Sequence, residues 1–130
     1  IKKEKIKNIE PIKGDISNLN LENNSCDIVY ANLSLHYFNN KRTTLIFNKI
    51  HDVLNSSGRI FIACKSTKDK LYGVGDKIGE DTFFKGHTRH FFSEDYMRNK
   101  LKKFRIINLR EEAKTYHGYD SVLMTAVAFK

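Results

Sequence analysis

The sequence is poor in several residue types, and each shortage excludes a class of protein. It has two cysteines, one proline and no tryptophan in 130 residues. Two cysteines cannot build the multi-disulfide framework of a small secreted domain. A single proline, seven glycines and 40% hydrophobic residues argue against a disordered chain. We therefore expect one folded domain over residues 1–130.

Long apolar runs are also missing. No stretch approaches the roughly 20 apolar residues of a membrane-spanning helix, and no cleavable leader pattern opens the chain. We therefore expect a cytoplasmic protein with no membrane partner. The chain starts at Ile1 rather than Met, so we also expect a fragment or a processed product.

Positive charge is in excess, with a net charge of +8. Basic chains often bind nucleic acid, but here the lysines are spread among Ile, Asn and Glu without a block of like charges. The local basic cluster at residues 98–105 is typical of a solvated helix end, and a phosphate-binding face is the alternative. We do not expect nucleic acid as a partner.

Strand-like and helix-like segments alternate along the chain, which favours an α/β fold. We predict helices after Asn39 and after the N-cap candidate Ser93, and we expect Gly58 to end the first of them in a left-handed conformation. Residues 26–32 are almost continuously apolar, as in a parallel strand covered on both faces. The predicted strands are residues 9–13, 26–32, 59–65, 105–111 and 121–129, and the last two should form an antiparallel hairpin.

Residues 66–90 show little periodicity and contain four glycines. A connection of this length is usually functional, or it hides a short helix. We expect it to cover a binding site, and we call it the lid. Cys26 and Cys64 fall at opposite ends of neighbouring predicted strands, which is too far apart for a disulfide, so we expect free thiols.

Three segments in order carry a resemblance to a known family: GDISNL (14–19), CDIVYANLSLHYF (26–38) and LNSSGRIFIA (54–63). They resemble the C-terminal part of class I S-adenosylmethionine-dependent methyltransferases of the small-molecule type. The resemblance implies a partial Rossmann-like sheet, with strands 3, 4, 5, 7 and 6 of the family order 3-2-1-4-5-7-6 and an antiparallel C-terminal hairpin. The glycine-rich cofactor loop is absent, so we expect this fragment to be inactive alone.

The first candidate site is Asp15 with Ile16, directly after a predicted strand. The resemblance implies that this acid accepts a hydrogen bond from the adenine amino group of S-adenosylmethionine, and that Ile16 contacts the ring. The alternative is an aspartate that only turns the chain, as Gly-Asp pairs often do.

The second candidate site follows the strand at 26–32. The resemblance implies that Asn32, Leu33 and His36 border the cofactor and that Tyr37 faces a small-molecule methyl acceptor. His36 is a candidate general base, and the alternative is a structural histidine.

His87 and Arg89 form the third candidate. Arg89 is suited to clamp an anionic acceptor, whereas the alternative is a segment that only docks Phe91 and Phe92 in the core. Two histidines without a further ligand cluster do not predict a metal.

The missing strands have a structural consequence. Without them, the strand at 26–32 has a free hydrogen-bonding edge, which is rarely tolerated in solution. We expect this edge to be covered by the segment around Ile9 or by a second copy in a homodimer. The rival to an enzyme is therefore a non-catalytic truncated paralogue that binds a partner through this edge.

Overall fold

The computed structural model describes residues 7–116 and 118–130. The described residues form two helices, α1 (Asn40–Val53) and α2 (Glu94–Lys100), and a short 3-10 turn at Ile16–Asn18. The strands are β1 (Cys26–Asn32), β2 (Leu54–Lys65), β3 (Asp76–Gly79), β4 (Thr82–Phe84), β5 (Thr88–His90), β6 (Arg105–Tyr116) and β7 (Tyr119–Phe129).

The main sheet has the strand order β1-β2-β7-β6. β1 and β2 are parallel, whereas β7 runs antiparallel to both β2 and β6. This order is the 4-5-7-6 part of the predicted sheet, and β6 with β7 is the predicted hairpin. The α/β, partial Rossmann-like class is confirmed.

Both helices begin at the predicted residues and pack on the same face of the sheet. The side chain of Asn39 accepts a hydrogen bond from the Arg42 amide at 2.9 Å, and Ser93 caps α2 in the same way. The two helices share a core with alternate residues of β2 and β7. Its larger members include Ile46, Phe47, Ile50, Ile60, Ile62, Phe92, Met97, Leu101 and Met124.

The opposite face of the sheet is open within the described residues. Ile28 is 61% exposed and Tyr30 is 74% exposed, although they alternate with the buried side of β1. The prediction that β1 is covered on both faces is therefore wrong for residues 7–116 and 118–130. A shallow cavity of about 260 Å³ lies on this face, between Tyr30, Phe61 and Val127.

Residues 9–13 do not form the predicted strand. Ile9 and Ile12 are about half exposed, and Pro11 cannot donate to a ladder. In the family order this strand is separated from β1 by two others, so β1 is not the neighbour with which it would pair. The segment also leaves the outer edge of β1 unpaired, so among the described residues nothing covers that edge.

Gly58 does not end α1. The helix ends at Val53, and the extended Leu54 donates its amide to the Ile50 carbonyl. Gly58 lies inside β2, and a Cβ there would meet the Asn55 carbonyl oxygen at 2.8 Å. The glycine therefore permits a close backbone approach rather than a left-handed stop, and the prediction was wrong.

The lid forms a second, three-stranded antiparallel sheet, β3-β4-β5, instead of a hidden helix. Its two ends meet at an isolated bridge between Ser66 and Phe92, where the Phe92 amide donates to the Lys65 carbonyl at 2.7 Å. The lid is thus a loop closed at its base, rising from the carboxyl end of β2.

Cys26 and Cys64 are both free thiols, as predicted. No helix in the described part of the chain is long and apolar enough to cross a membrane.

Candidate functional site

The carboxyl ends of β1 and β2 meet at one edge of the main sheet because the two strands are parallel. Asn32 lies opposite Ala63, and the amide of the next residue, Leu33, donates to the Ala63 carbonyl at 2.8 Å. Leu33 has a left-handed φ of 56°, so the chain turns sharply away from the strand here. This edge, where open α/β sheets bind ligands, is called the rim below.

Asp15 lies close to the N-terminal turn of α1. Its carboxylate accepts from the Ser17 amide at 2.8 Å and from Arg42 Nη2 at 3.1 Å. The same guanidinium lies 5.4 Å from the centre of the Phe38 ring. Arg42 therefore links the Asp15 turn to the end of the 33–38 loop, whereas the position of Asp15 beside Asn32 and Leu33 stays a prediction.

Asp15 is exposed and ionised. Hydrogen bonds from the Ser17 hydroxyl and amide, and then the Arg42 charge, hold the pKa of the carboxyl below its ordinary value. Oδ1 accepts from both the amide and the hydroxyl of Ser17, whereas Oδ2 accepts only from Arg42, so Oδ2 keeps a free lone pair. Such a carboxylate can accept from an exocyclic amine. Ile16 is half-buried and packs against the core.

His36 is fully buried beneath the lid. Its Nδ1 accepts from the Lys65 amide at 3.2 Å, and its carbonyl accepts from the His90 amide at 2.8 Å. Burial, followed by the charges of Lys65 and Arg89, lowers the pKa of His36 to about 3. The imidazole is therefore neutral, and because Nδ1 accepts, the proton is on Nε2.

Tyr37, His87 and Arg89 form one cluster beside His36. The Tyr37 ring lies 4.4 Å from the His36 ring and 5.4 Å from the His87 ring, centre to centre. Arg89 Nη2 lies 3.1 Å from His87 Nε2. The structure thus brings the third predicted segment against the second, since β5 of the lid folds over the 33–38 loop.

The 33–38 loop is the element that connects all the predicted residues. Asp15 reaches it through Arg42 and Phe38, whereas Arg89 reaches it through His87 and Tyr37. Direct contacts between the Asp15 turn and the lid cluster are not formed. Of the predicted site residues outside this loop, Asp15 is therefore connected to its end at Phe38, and Arg89 is connected to it at Tyr37.

A larger cavity of about 620 Å³ opens between the lid and the N-termini of α1 and α2. His90 and Tyr96 form one wall, with ring centres 4.3 Å apart, and Glu80 and Asp95 contribute acidic groups. Sequence reasoning missed this cavity. The sequence places Tyr96 three residues after the Ser93 cap, and therefore at the N-terminus of α2, where this cavity lies. The other wall is the lid hairpin, which was not predicted.

Comparison with known proteins supports the resemblance. The family described as "Methyltransferase domain" matches residues 1–62. A solved S-adenosylmethionine-dependent methyltransferase from Methanosarcina mazei superposes with a TM-score of 0.79 at 18% identity, over 90% of this chain and 65% of that one. The chain has the fold of the S-adenosylmethionine-dependent methyltransferases. The predicted resemblance is confirmed, and the chain spans about two thirds of that relative.

Two further structures with the same fold belong to proteins with different reactions. The Burkholderia thailandensis 1,6-didemethyltoxoflavin-N1-methyltransferase, solved with 1,6-didemethyltoxoflavin and S-adenosylhomocysteine, has a TM-score of 0.67 at 18% identity and is matched over 92% of this chain and 50% of that one. The [4+2]-cyclase SpnF has a TM-score of 0.65 at 13% identity, over 90% of this chain and 54% of that one. No curated protein matches by sequence. The fold alone therefore does not fix the reaction.

Proposed function

We propose that this chain is the C-terminal portion of an S-adenosylmethionine-dependent methyltransferase that acts on a small molecule. The observation that carries the proposal is the link between the Asp15 turn and the end of the 33–38 loop, since Arg42 bonds Asp15 and lies over the Phe38 ring. The family match and the shared fold support it. The free edge of β1 and the open sheet face agree with a partial domain.

Each site residue has a proposed role. The Asp15 carboxylate accepts a hydrogen bond from the adenine amine, and Ile16 packs beside the ring. Asn32, Leu33 and His36 border the rest of the cofactor, which supplies an electrophilic methyl group when bound. Because in-line transfer of a methyl group depends on position more than on a strong acid, the chain's main contribution is orientation.

The acceptor side of the site is the lid cluster. Tyr37 and His87 offer aromatic surfaces and Arg89 offers a positive charge, so we assign the binding of a small acceptor to this cluster, where the lid, residues 66–90, contacts the 33–38 loop. The lid is part of the same single domain in this proposal, because its base is bonded to the end of β2. The two free cysteines agree with a cytoplasmic location.

A nuclear magnetic resonance titration with S-adenosylhomocysteine tests the proposal. Since only part of the cofactor's contacts is present, we expect weak, saturable binding that shifts the backbone amides of residues 15–17 and 32–38. We expect no turnover from the chain alone. Amides that stay unchanged at the rim, at millimolar ligand, would contradict a cofactor site.

The alternative is a non-catalytic paralogue that associates through β1. It is favoured by one observation: the outer edge of β1 is unpaired among residues 7–116 and 118–130, and Ile28 and Tyr30 beside it are exposed. A homodimer is the simplest partner of this kind. Self-association without any response to S-adenosylhomocysteine would favour this function. Binding to random DNA with a steep salt dependence would instead favour a nucleic-acid partner.

A further inference from the structure

Two buried hydrogen-bond donors under the lid have no partner among the described residues. They are His36 Nε2 and Arg89 Nε. Both belong to one cluster, in which His36 contacts Tyr37, Tyr37 contacts His87, and His87 contacts Arg89. Buried polar groups are nearly always hydrogen-bonded, so two unsatisfied donors in one cluster require an explanation.

Both atoms are donors, and neither can act as an acceptor. His36 Nδ1 accepts from the Lys65 amide, so the proton of the neutral ring lies on Nε2. Arg89 has only donors. The group that satisfies this pair must therefore supply acceptor atoms.

The guanidinium of Arg89 also lacks a counter-charge. None of the ion pairs within residues 7–116 and 118–130 includes Arg89, and its Nη2 lies 3.1 Å from His87 Nε2. Asp69 is the carboxylate whose charge acts on His36. It already accepts from the Val122 and Leu71 amides and pairs with Lys65 at 3.6 Å. Among residues 7–116 and 118–130, no carboxylate therefore forms an ion pair with Arg89.

We propose that His36 Nε2 and the Arg89 guanidinium bind a carboxylate group of the methyl acceptor. A carboxylate has two oxygens that can accept from both donors at once, and it neutralises the half-buried arginine. The assignment rests on the proposed function, because it names the acceptor of that same site.

The surroundings indicate that the carboxylate is attached to a flat ring. The Tyr37 and His87 rings lie edge to face, 5.4 Å apart, and both side chains are exposed above the buried donors. A planar acceptor that separates these two rings stacks on them while its carboxylate reaches the donors below.

Benzoate and benzamide are the probes, since they have the same shape and differ in charge. The protein is labelled with ¹⁵N, and the signals of His36 Nε2–H and Arg89 Nε–H are followed during each titration without cofactor. We expect benzoate to shift both signals saturably and benzamide to leave them in place. Equal responses to the two probes, or none to benzoate, would overturn the assignment. A His36 signal that exchanges with a resident water and ignores benzoate would do so too.

A pair of variants tests the role of the arginine. Arg89→Gln should weaken benzoate binding by about ten-fold, because a charge-assisted pair of hydrogen bonds is lost. Arg98→Gln is the matched control, since Arg98 is half exposed and pairs with Glu94 on α2. Backbone amide spectra of both variants verify folding. If Arg98→Gln weakens binding as much as Arg89→Gln, benzoate binding is only general attraction to a basic protein.

The same samples separate this inference from the proposed function. S-adenosylhomocysteine is titrated independently and read at the amides of residues 15–17. If S-adenosylhomocysteine shifts the amides of residues 15–17 but benzoate shifts neither His36 nor Arg89, only the proposed carboxylate site is contradicted. If benzoate shifts His36 and Arg89 but S-adenosylhomocysteine leaves those amides unchanged, only the proposed cofactor site is contradicted.

Discussion

Asp15 combines a local structural task with the proposed recognition of adenine. It caps the 3-10 turn through the Ser17 amide and pairs with Arg42 across the rim. Asp15→Asn retains an oxygen that can cap the turn but removes the charge. We expect S-adenosylhomocysteine affinity to fall by about ten-fold, because the bond from the adenine amine is no longer charge-assisted. The amide titration measures the change.

Asp27→Asn is the control for this substitution. Asp27 is exposed near the start of β1, away from the rim, and its carboxylate accepts from Asn55 at 2.7 Å. An equal loss of affinity in both variants would show a general charge effect. The pKa of Asp15 lies below 3.8, so the binding contributed by its charge should not change between about pH 7 and about pH 5.

His36 should make the protein less stable in acid. Its pKa is about 3 in the folded state, mainly because of burial, whereas an unfolded histidine has an ordinary value of 6.5. As the pH falls through that interval, the unfolded chain binds a proton that the folded chain excludes. The free energy of unfolding should therefore fall, by at most about 1.4 kcal/mol per pH unit from this group.

Urea denaturation at a series of pH values measures this slope, and imidazole ¹⁵N shifts report His36 directly. Burial also lowers the pKa of His90, so it acts in the same direction. His36→Asn should reduce the slope. A His36 ring that titrates near its ordinary value in the folded protein would refute the prediction.

At the scale of elements, the lid depends on one glycine. Gly75 has a φ of +98°, and a Cβ there would lie 2.4 Å from the Phe84 carbonyl oxygen. Gly75→Ala should destabilise the lid by about 2–3 kcal/mol, because strain and a backbone clash add. Hydrogen exchange should then become faster in β3 and β4.

Gly79→Ala provides the comparison in the same sheet. A Cβ at Gly79 would lie 3.7 Å from Thr82, an ordinary contact, so a change within about 0.5 kcal/mol is expected. If both variants affected lid exchange equally, the close approach at Gly75 would not be what holds the lid.

Elements with strong local signals were predictable from the sequence. β1 has the predicted bounds, because its apolar run is continuous, and both helices begin at side-chain caps that the sequence shows. The predicted strand at 9–13 and the predicted helix stop at Gly58 were wrong, and the three lid strands were not predicted. Each depends on contacts with other segments of the chain, and local residue patterns do not show those contacts.

The candidate site divides in the same way. Asp15 was expected at the rim because it follows the predicted strand at 9–13, which does not form, and Asn32 was expected there as the last residue of β1. Arg42 bonds Asp15 and lies over the Phe38 ring, so it connects Asp15 to the loop that follows Asn32. The unpartnered donors at His36 and Arg89 emerge only when the lid folds onto the loop. The cavity beside His90 likewise requires the lid hairpin, which no periodicity signals.

At the scale of the whole molecule, the free edge of β1 predicts self-association. Sedimentation at increasing protein concentration should show a dimer, because unpaired strand edges tend to pair. Replacing Ile28 and Tyr30 with lysine should give a monomer, since charge on an edge strand opposes pairing. A parent chain that stays monomeric at high concentration would contradict edge pairing.

Ile107→Lys is the control for these edge variants. Ile107 is 54% exposed on β6, the strand at the other side of the main sheet. Its replacement should leave the association unchanged if β1 forms the interface.

The position of β7 has a consequence for biosynthesis. The last strand in the chain lies between β2 and β6, so β2 has no antiparallel neighbour until residue 129 has left the ribosome. The nascent polypeptide therefore keeps apolar residues of β2 exposed to water until β7 has been translated. It can complete this sheet only after nearly all of these 130 residues are translated.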